Sequence, residues 1–171
     1  MNPLPKLGLA IAGAFMILDQ AVKLLVTGPL GLDVLGDSRT LLPIFNLQLV
    51  ANRGVSLGFL RADTETMRWA LVALTGVIAI GVLVWMFVEK NRQDQFALGM
   101  VMGGALGNII DRIRLGYVID YADLHFGEWR PFLVFNLADA FITMGVLVLL
   151  VRALLVRDKS RARASVENSN A

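Results

Sequence analysis

The chain has 171 residues, 56% of them hydrophobic and 18% charged, with 16 basic residues against 14 acidic ones and no cysteine. That apolar excess, with a mean hydropathy of +0.64, departs from the usual soluble composition and points to a small membrane protein. A formal charge of +2 gives no reason to expect a nucleic-acid partner. The absence of cysteine removes disulfides, thiolate metal sites and thiol nucleophiles, and a single histidine cannot build a multi-histidine metal centre.

Taken in chain order, the pattern predicts four membrane helices at about 7–26, 67–88, 95–114 and 136–157. The first has 12 uncharged residues, Leu7–Leu18, before Asp19 and Lys23. It resembles a signal-peptide core, but Asp19-Gln20 stand where small cleavage-site residues belong, so an uncleaved helix is expected. The connection 27–66 contains Ile44-Phe45-Asn46-Leu47-Gln48-Leu49, whose alternation predicts a half-buried strand. The second helix carries no charge over residues 69–88. Its Trp69 and Trp85 lie roughly 24 Å apart along a helix, suited to two interfacial belts.

The third helix has 16 uncharged residues, Gln95–Ile110, before Asp111 and Arg112. Gly99, Gly103 and Gly107 form a small-residue ridge for close helix packing. A second connection, 115–135, precedes the fourth helix, and the polar segment 158–171 is expected to be an unstructured cytoplasmic tail. The expected architecture is an all-α membrane protein, one four-helix domain over 1–157 with a small extracytoplasmic β-containing subdomain drawn from 27–66 and 115–135. Lysine and arginine divide evenly between the two sides, but they are denser in the short segments and the tail, which places both termini in the cytoplasm.

Threading the helices up and down brings Asp19, Asp111 and Asp139 to one side, with Asp120 and Asp123 in the adjoining loop. Carboxylates at membrane depth are expensive and suggest function. Plainer roles compete with that. Asp19 and Lys23, spaced i,i+4, can neutralise each other. Asn108, Asp111 and Arg112 share a helical face and can cap it or hold a loop, and Asn136 with Asp139 has the spacing of an N-cap and its N3 acid. Asp120, in Tyr117-Val-Ile-Asp-Tyr, has apolar neighbours and needs a partner or a proton. Two carboxylates in a partly dry site share a proton, which would supply peptide hydrolysis by one base and one acid. Ser56 with Lys23 is a weaker nucleophilic alternative, since nothing in the sequence brings them together. His125, beside Phe126, is expected at a surface or interface.

GGALGNIIDRIRLGYVIDYAD (103–123) and FNLADAFI (135–142) closely resemble the lipoprotein signal peptidase family, also called signal peptidase II. LDQAVK (18–23) and VANRGVSLGFL (50–60) resemble its two earlier blocks, in the same order. The resemblance implies an aspartyl endopeptidase of the bacterial inner membrane, with no cofactor and no metal. Such an enzyme removes the signal peptide from diacylglyceryl-modified prolipoproteins before the lipidated cysteine. By that resemblance the catalytic pair is Asp120 and Asp139, supported by Asp19, Lys23, Asn52, Gly54, Asn108, Asp111, Arg112 and Asn136. The expected partners are the prolipoprotein and membrane lipids, and the chain is expected to be a monomer. One departure is visible: many members have N-x-G-A-A-F where this chain has Asn52-Arg53-Gly54-Val55-Ser56-Leu57, which bears on the lining of the substrate groove. The competing readings are a small transporter using the acids as an ion relay, and a non-catalytic assembly factor whose acids only cap helices.

Overall fold

A computed structural model describes residues 5–54 and 64–169. Four helices and three strands follow in the order α1 (Lys6–Thr27), β1 (Ser38–Leu42), β2 (Phe45–Asn52), α2 (Glu65–Val88), α3 (Arg92–Leu115), β3 (Val118–Leu124) and α4 (Leu137–Ser169). All four helices contain a stretch long and apolar enough to cross a bilayer; in α4 it is Leu137–Leu155. The expected four-helix membrane fold with a small sheet is therefore the observed one.

The helix starts follow local chemistry. Thr64 caps α2 by accepting from Met67 N at 3.2 Å, and Asn91 caps α3 by accepting from Gln93 N at 2.9 Å. Gly116 ends α3 with φ of 83°, a left-handed C-cap that a side chain would strain. Arg68 then ties α2 to this terminus, donating to the carbonyls of Arg112 at 2.8 Å and Ile113 at 2.6 Å.

α3 is the centre of the bundle. It is the least hydrophobic span, yet 67% of its apolar stretch is buried, against 17–22% in the others. Its polar groups face protein, and the more apolar helices meet lipid. The glycine ridge makes this possible, because α1 lies against it. A β-carbon at Gly99 would stand 2.7 Å from Ile11, one at Gly103 would stand 2.6 Å from the Ala12 carbonyl, and one at Gly107 would collide with the Asp19 carboxylate. The next face serves α4, where a β-carbon at Gly104 would lie 2.5 Å from the Ala138 carbonyl. Ala12, Ala79, Met86, Leu98 and Met102 fill the core between helices.

At one end of the bundle sits an antiparallel sheet in the order β1-β2-β3. Val26, Leu32, Leu47, Leu49, Tyr121 and Ala122 form its own core against the end of α1. A register shift between Leu47 and Val50 bends β2 just before the pairing of Val50 with Asp120. The chain returns past β3 at Phe135, which exchanges backbone hydrogen bonds with Ala122 at 2.7 and 3.1 Å. That return delivers Asn136 and α4 to the side of the strand that carries Asp120.

Three features differ from the sequence-based expectation. Asp120 and Asp123 lie in a strand, not a loop; β3 is buried along nearly its whole length, so it lacks the alternation that reveals a half-buried strand. β1 was also unannounced by pattern, being exposed at all five positions. Residues 158–169, expected to be an unstructured tail, continue α4; the run Arg161-Ala162-Arg163-Ala164 within it favours helix.

Candidate active site

The N-terminus of α4 is where the bundle and the sheet meet. A helix leaves its first backbone N–H groups without partners, and here each finds a side-chain oxygen from a different element. Leu137 N donates to the Tyr121 hydroxyl of β3 at 3.2 Å, and Ala138 N to Asp19 Oδ1 of α1 at 3.0 Å. Asp139 N donates to Asn136 Oδ1 at 2.9 Å, while Asp139 Oδ2 accepts from Asn136 N at 3.4 Å. Asn136 and Asp139 thus form the reciprocal cap their spacing predicts. Tyr121 is buried, which raises its hydroxyl pKa and keeps it neutral, with the nearby Asp19 adding to the effect.

Two side-chain amides join the carboxylates of β3 and α4. Asn136 Nδ2 donates to Asp120 Oδ1 at 2.6 Å and to Asn108 Oδ1 at 3.2 Å. Asn108 Nδ2 then donates to Asp139 Oδ1 at 2.9 Å. The other oxygen of Asp120 accepts from Asn52 Nδ2 at 2.8 Å. Asp120 is 1% exposed, and this burial, with the charge of Asp139 second, pushes its pKa up to about 7; the hydrogen bonds from Asn52 and Asn136 work in the opposite direction. A carboxyl in this setting holds a proton near neutral pH.

Beneath this pair lies a fully engaged cation. Lys23 Nζ contacts Asp19 Oδ2 at 2.8 Å, Asp111 Oδ2 at 2.7 Å and Asn108 Oδ1 at 3.2 Å, which uses all three ammonium hydrogens. The Asp19–Lys23 pair is therefore more than mutual neutralisation, since it binds α1 to α3 and, through Ala138, to α4. Asp111 also accepts from Ile119 N at 3.2 Å, holding β3 beside the end of α3. Arg112 donates to the Gly54 carbonyl at 2.9 Å, and Gly54 N donates to Asn52 Oδ1 at 3.0 Å, so α3 fixes the segment that carries Asn52.

All ten predicted site residues accordingly fall into one connected network around the start of α4. Ser56 lies outside the described residues, and Lys23 is saturated by its carboxylate and amide partners. His125 differs from expectation, for its side chain is only 14% exposed and its Nδ1 stands 3.7 Å from Asp123 Oδ2. Asp123 itself is buried and paired with Arg130 at 3.1 Å. Two members of the network escaped sequence reasoning. Gln20 donates to Asp111 Oδ1 at 2.9 Å, Asp19 Oδ2 at 3.2 Å and the Gly107 carbonyl at 3.2 Å. Its position beside Asp19 in an otherwise apolar helix was the available signal. For Tyr121 there was none, because an aromatic residue in an apolar strand looks like core.

A polytopic bundle whose one end brings two carboxyl groups into one hydrogen-bonded network beside a small sheet has the architecture of a membrane-embedded enzyme. Two solved bacterial membrane enzymes are similar to it in fold. One superposes with a TM-score of 0.74 at 29% identity over 90% of each chain. The other has a TM-score of 0.71 at 29% identity over 86% of this chain and 92% of that one. The model of the signal peptidase II family matches residues 11–155. A lipoprotein signal peptidase of Rhizorhabdus wittichii is 52% identical over 155 residues, 89% of this chain and 88% of its own. Another from Sphingopyxis alaskensis is 48% identical over 159 residues, 93% and 91% of the two chains. The chain belongs to the signal peptidase II family, and is a membrane-bound peptidase.

Proposed function

We propose that the chain is an aspartyl endopeptidase that cleaves diacylglyceryl-modified prolipoproteins before the lipidated cysteine, with Asp120 and Asp139 as its catalytic pair. The observation that carries this reading is the bridge Asp120–Asn136–Asn108–Asp139, which holds a buried carboxyl group and a half-buried one from different elements in one hydrogen-bonded frame. We assign the acid role to Asp120, whose pKa is raised to about 7 by burial and by the charge of Asp139. Asp139 is the base, since a helix N-terminus favours a carboxylate.

In the proposed reaction, Asp139 takes a proton from water as the oxygen adds to the scissile carbonyl, and Asp120 gives its proton to the carbonyl oxygen. Breakdown of the tetrahedral intermediate returns a proton to the departing amide nitrogen and breaks the C–N bond. Asn52, Asn108 and Asn136 orient the two carboxyls. Asp19, Lys23, Asp111 and Arg112 are positioning residues, holding α1, α3 and the strand ends around the pair. The site end is extracytoplasmic and the membrane is the bacterial inner one, so the lipid on the substrate cysteine stays in the outer leaflet while the peptide reaches the aspartates. Phe132 and Leu133, both exposed beside the sheet, are suited to contact that apolar substrate.

The test is cleavage of a lipidated prolipoprotein by the purified protein in detergent, with a chelator present as a metal control. Asp120→Asn and Asp139→Asn each lower turnover by about 10²–10⁴-fold or more, the scale of a lost general acid or base, while both variants insert and elute like the parent. Full activity in either variant overturns the pair.

A further inference from the structure

At the end of the bundle far from the aspartates, a groove of about 620 Å³ opens between α1, α3 and α4, lined by Leu7, Arg92, Gln93, Phe96, Val148 and Arg152. Its construction is regular. Arg92 and Phe96 are spaced i,i+4 on α3, and so are Val148 and Arg152 on α4. Each apolar side chain therefore lies one turn from a guanidinium on the same helix face, with the cations at the outer mouth and the apolar wall toward the bilayer interior. Leu7 completes the wall from α1, and Phe96 is held edge-on against Phe15, also of α1.

The two cations differ in their engagement. Arg152 is held by Asp94 Oδ2 at 3.0 Å and by Gln93, which fixes its guanidinium beside the groove. Arg92 is exposed, and no carboxylate among the described residues pairs with it. Around this end Lys6, Lys90, Arg92 and Arg152 stand against Glu89 and Asp94, leaving a local excess of positive charge.

We propose that this groove is a binding site for one phospholipid, its phosphodiester at Arg92, beside the Asp94-paired Arg152, and an acyl chain along Leu7, Phe96 and Val148. Charge complementarity selects the ligand: a cationic mouth over an apolar wall matches a molecule that is anionic at one end and aliphatic at the other. A peptide helix from a second copy would fill the wall but leave Arg92 without a counter-charge. The site is independent of the peptidase reading and touches none of the residues placed in the catalytic network.

Native mass spectrometry of the full chain, released from detergent with added phosphatidylglycerol, tests it. One phosphatidylglycerol per chain is expected to survive gentle activation. Arg92→Glu weakens its retention by about tenfold or more, the scale of a lost charge-assisted contact. Val148→Trp fills the groove and lowers retention with both arginines intact, whereas Val77→Trp, on an exposed face of α2, leaves it unchanged. Elution of each variant as a single peak in detergent serves as the folding control and is expected at the parent volume. Equal retention in the parent, Arg92→Glu and Val148→Trp overturns the site, as does a dimer that Val148→Trp dissociates without any change in bound lipid.

Discussion

Asp120 shows how much of this site is set by one residue's surroundings. On the surface of a protein its carboxyl would be ionised above about pH 4. Here burial and the neighbouring Asp139 raise its pKa to about 7, while the amides of Asn52 and Asn136 favour the charged form and limit the rise. In the proposed mechanism Asp120 must hold its proton, so activity falls on an alkaline limb as the pH passes through its pKa. Asn52→Ala removes one of the donors that stabilise the ionised form. The pKa then rises and the alkaline limb of kcat/KM moves to higher pH. A pH–rate profile of the variant checks this; a limb unmoved, or moved toward acid, contradicts the assignment of the proton to Asp120. Lys23 illustrates a different dependence. It is buried between Asp19 and Asp111, so its loss leaves two carboxylates without their counter-charge, and breaking a buried pair in this way costs about 3–5 kcal/mol.

Among the elements, α3 carries the most constraint, because its ridge of glycines lets two neighbours approach within backbone contact. Gly103→Leu would drive a side chain into the Ala12 carbonyl and Phe15, 2.6 and 2.9 Å from where its β-carbon must sit. Overpacking of this kind costs about 1–3 kcal/mol or more, since neither backbone can yield without parting α1 from α3. Gly81 on α2 is the control: a β-carbon there meets nothing within 4 Å, so Gly81→Ala is neutral or slightly stabilising. Thermal unfolding in one detergent distinguishes the two, with a lowered midpoint expected for Gly103→Leu alone. The ridge was readable from the spacing of Gly99, Gly103 and Gly107. The strand that carries Asp120 was not, because a strand buried on both faces has no period-two pattern to display.

For the molecule as a whole, the alternation of successive spans puts the starts of α1 and α3 at one face and the sheet at the other. The proposed orientation has the sheet outside the cytoplasm. The chain has no cysteine, so single-cysteine variants report orientation without background. Glu128→Cys, at an exposed position in the turn after β3, should react with a membrane-impermeant maleimide added to intact cells or right-side-out vesicles. Arg92→Cys, at the opposite end, should react only after permeabilisation. The reverse pattern would invert the topology and place the aspartates at the cytoplasmic face.

The sequence alone determined the four spans, the glycine ridge, the cap formed by Asn136 and Asp139, and the side on which the acids collect, because each rests on short-range periodicity or on threading. Its block order also led to the signal peptidase II family. What only the tertiary structure decided is how those acids are held. Phe135 pairing with β3 sets Asn136 beside Asp120; Asn108 links Asn136 to Asp139; Tyr121 and Asp19 satisfy the open N–H groups of α4. These contacts join residues separated by up to 119 positions, and no local pattern encodes them. They form because polar groups buried at this depth must find partners inside the protein, and only the folded bundle brings those partners within reach.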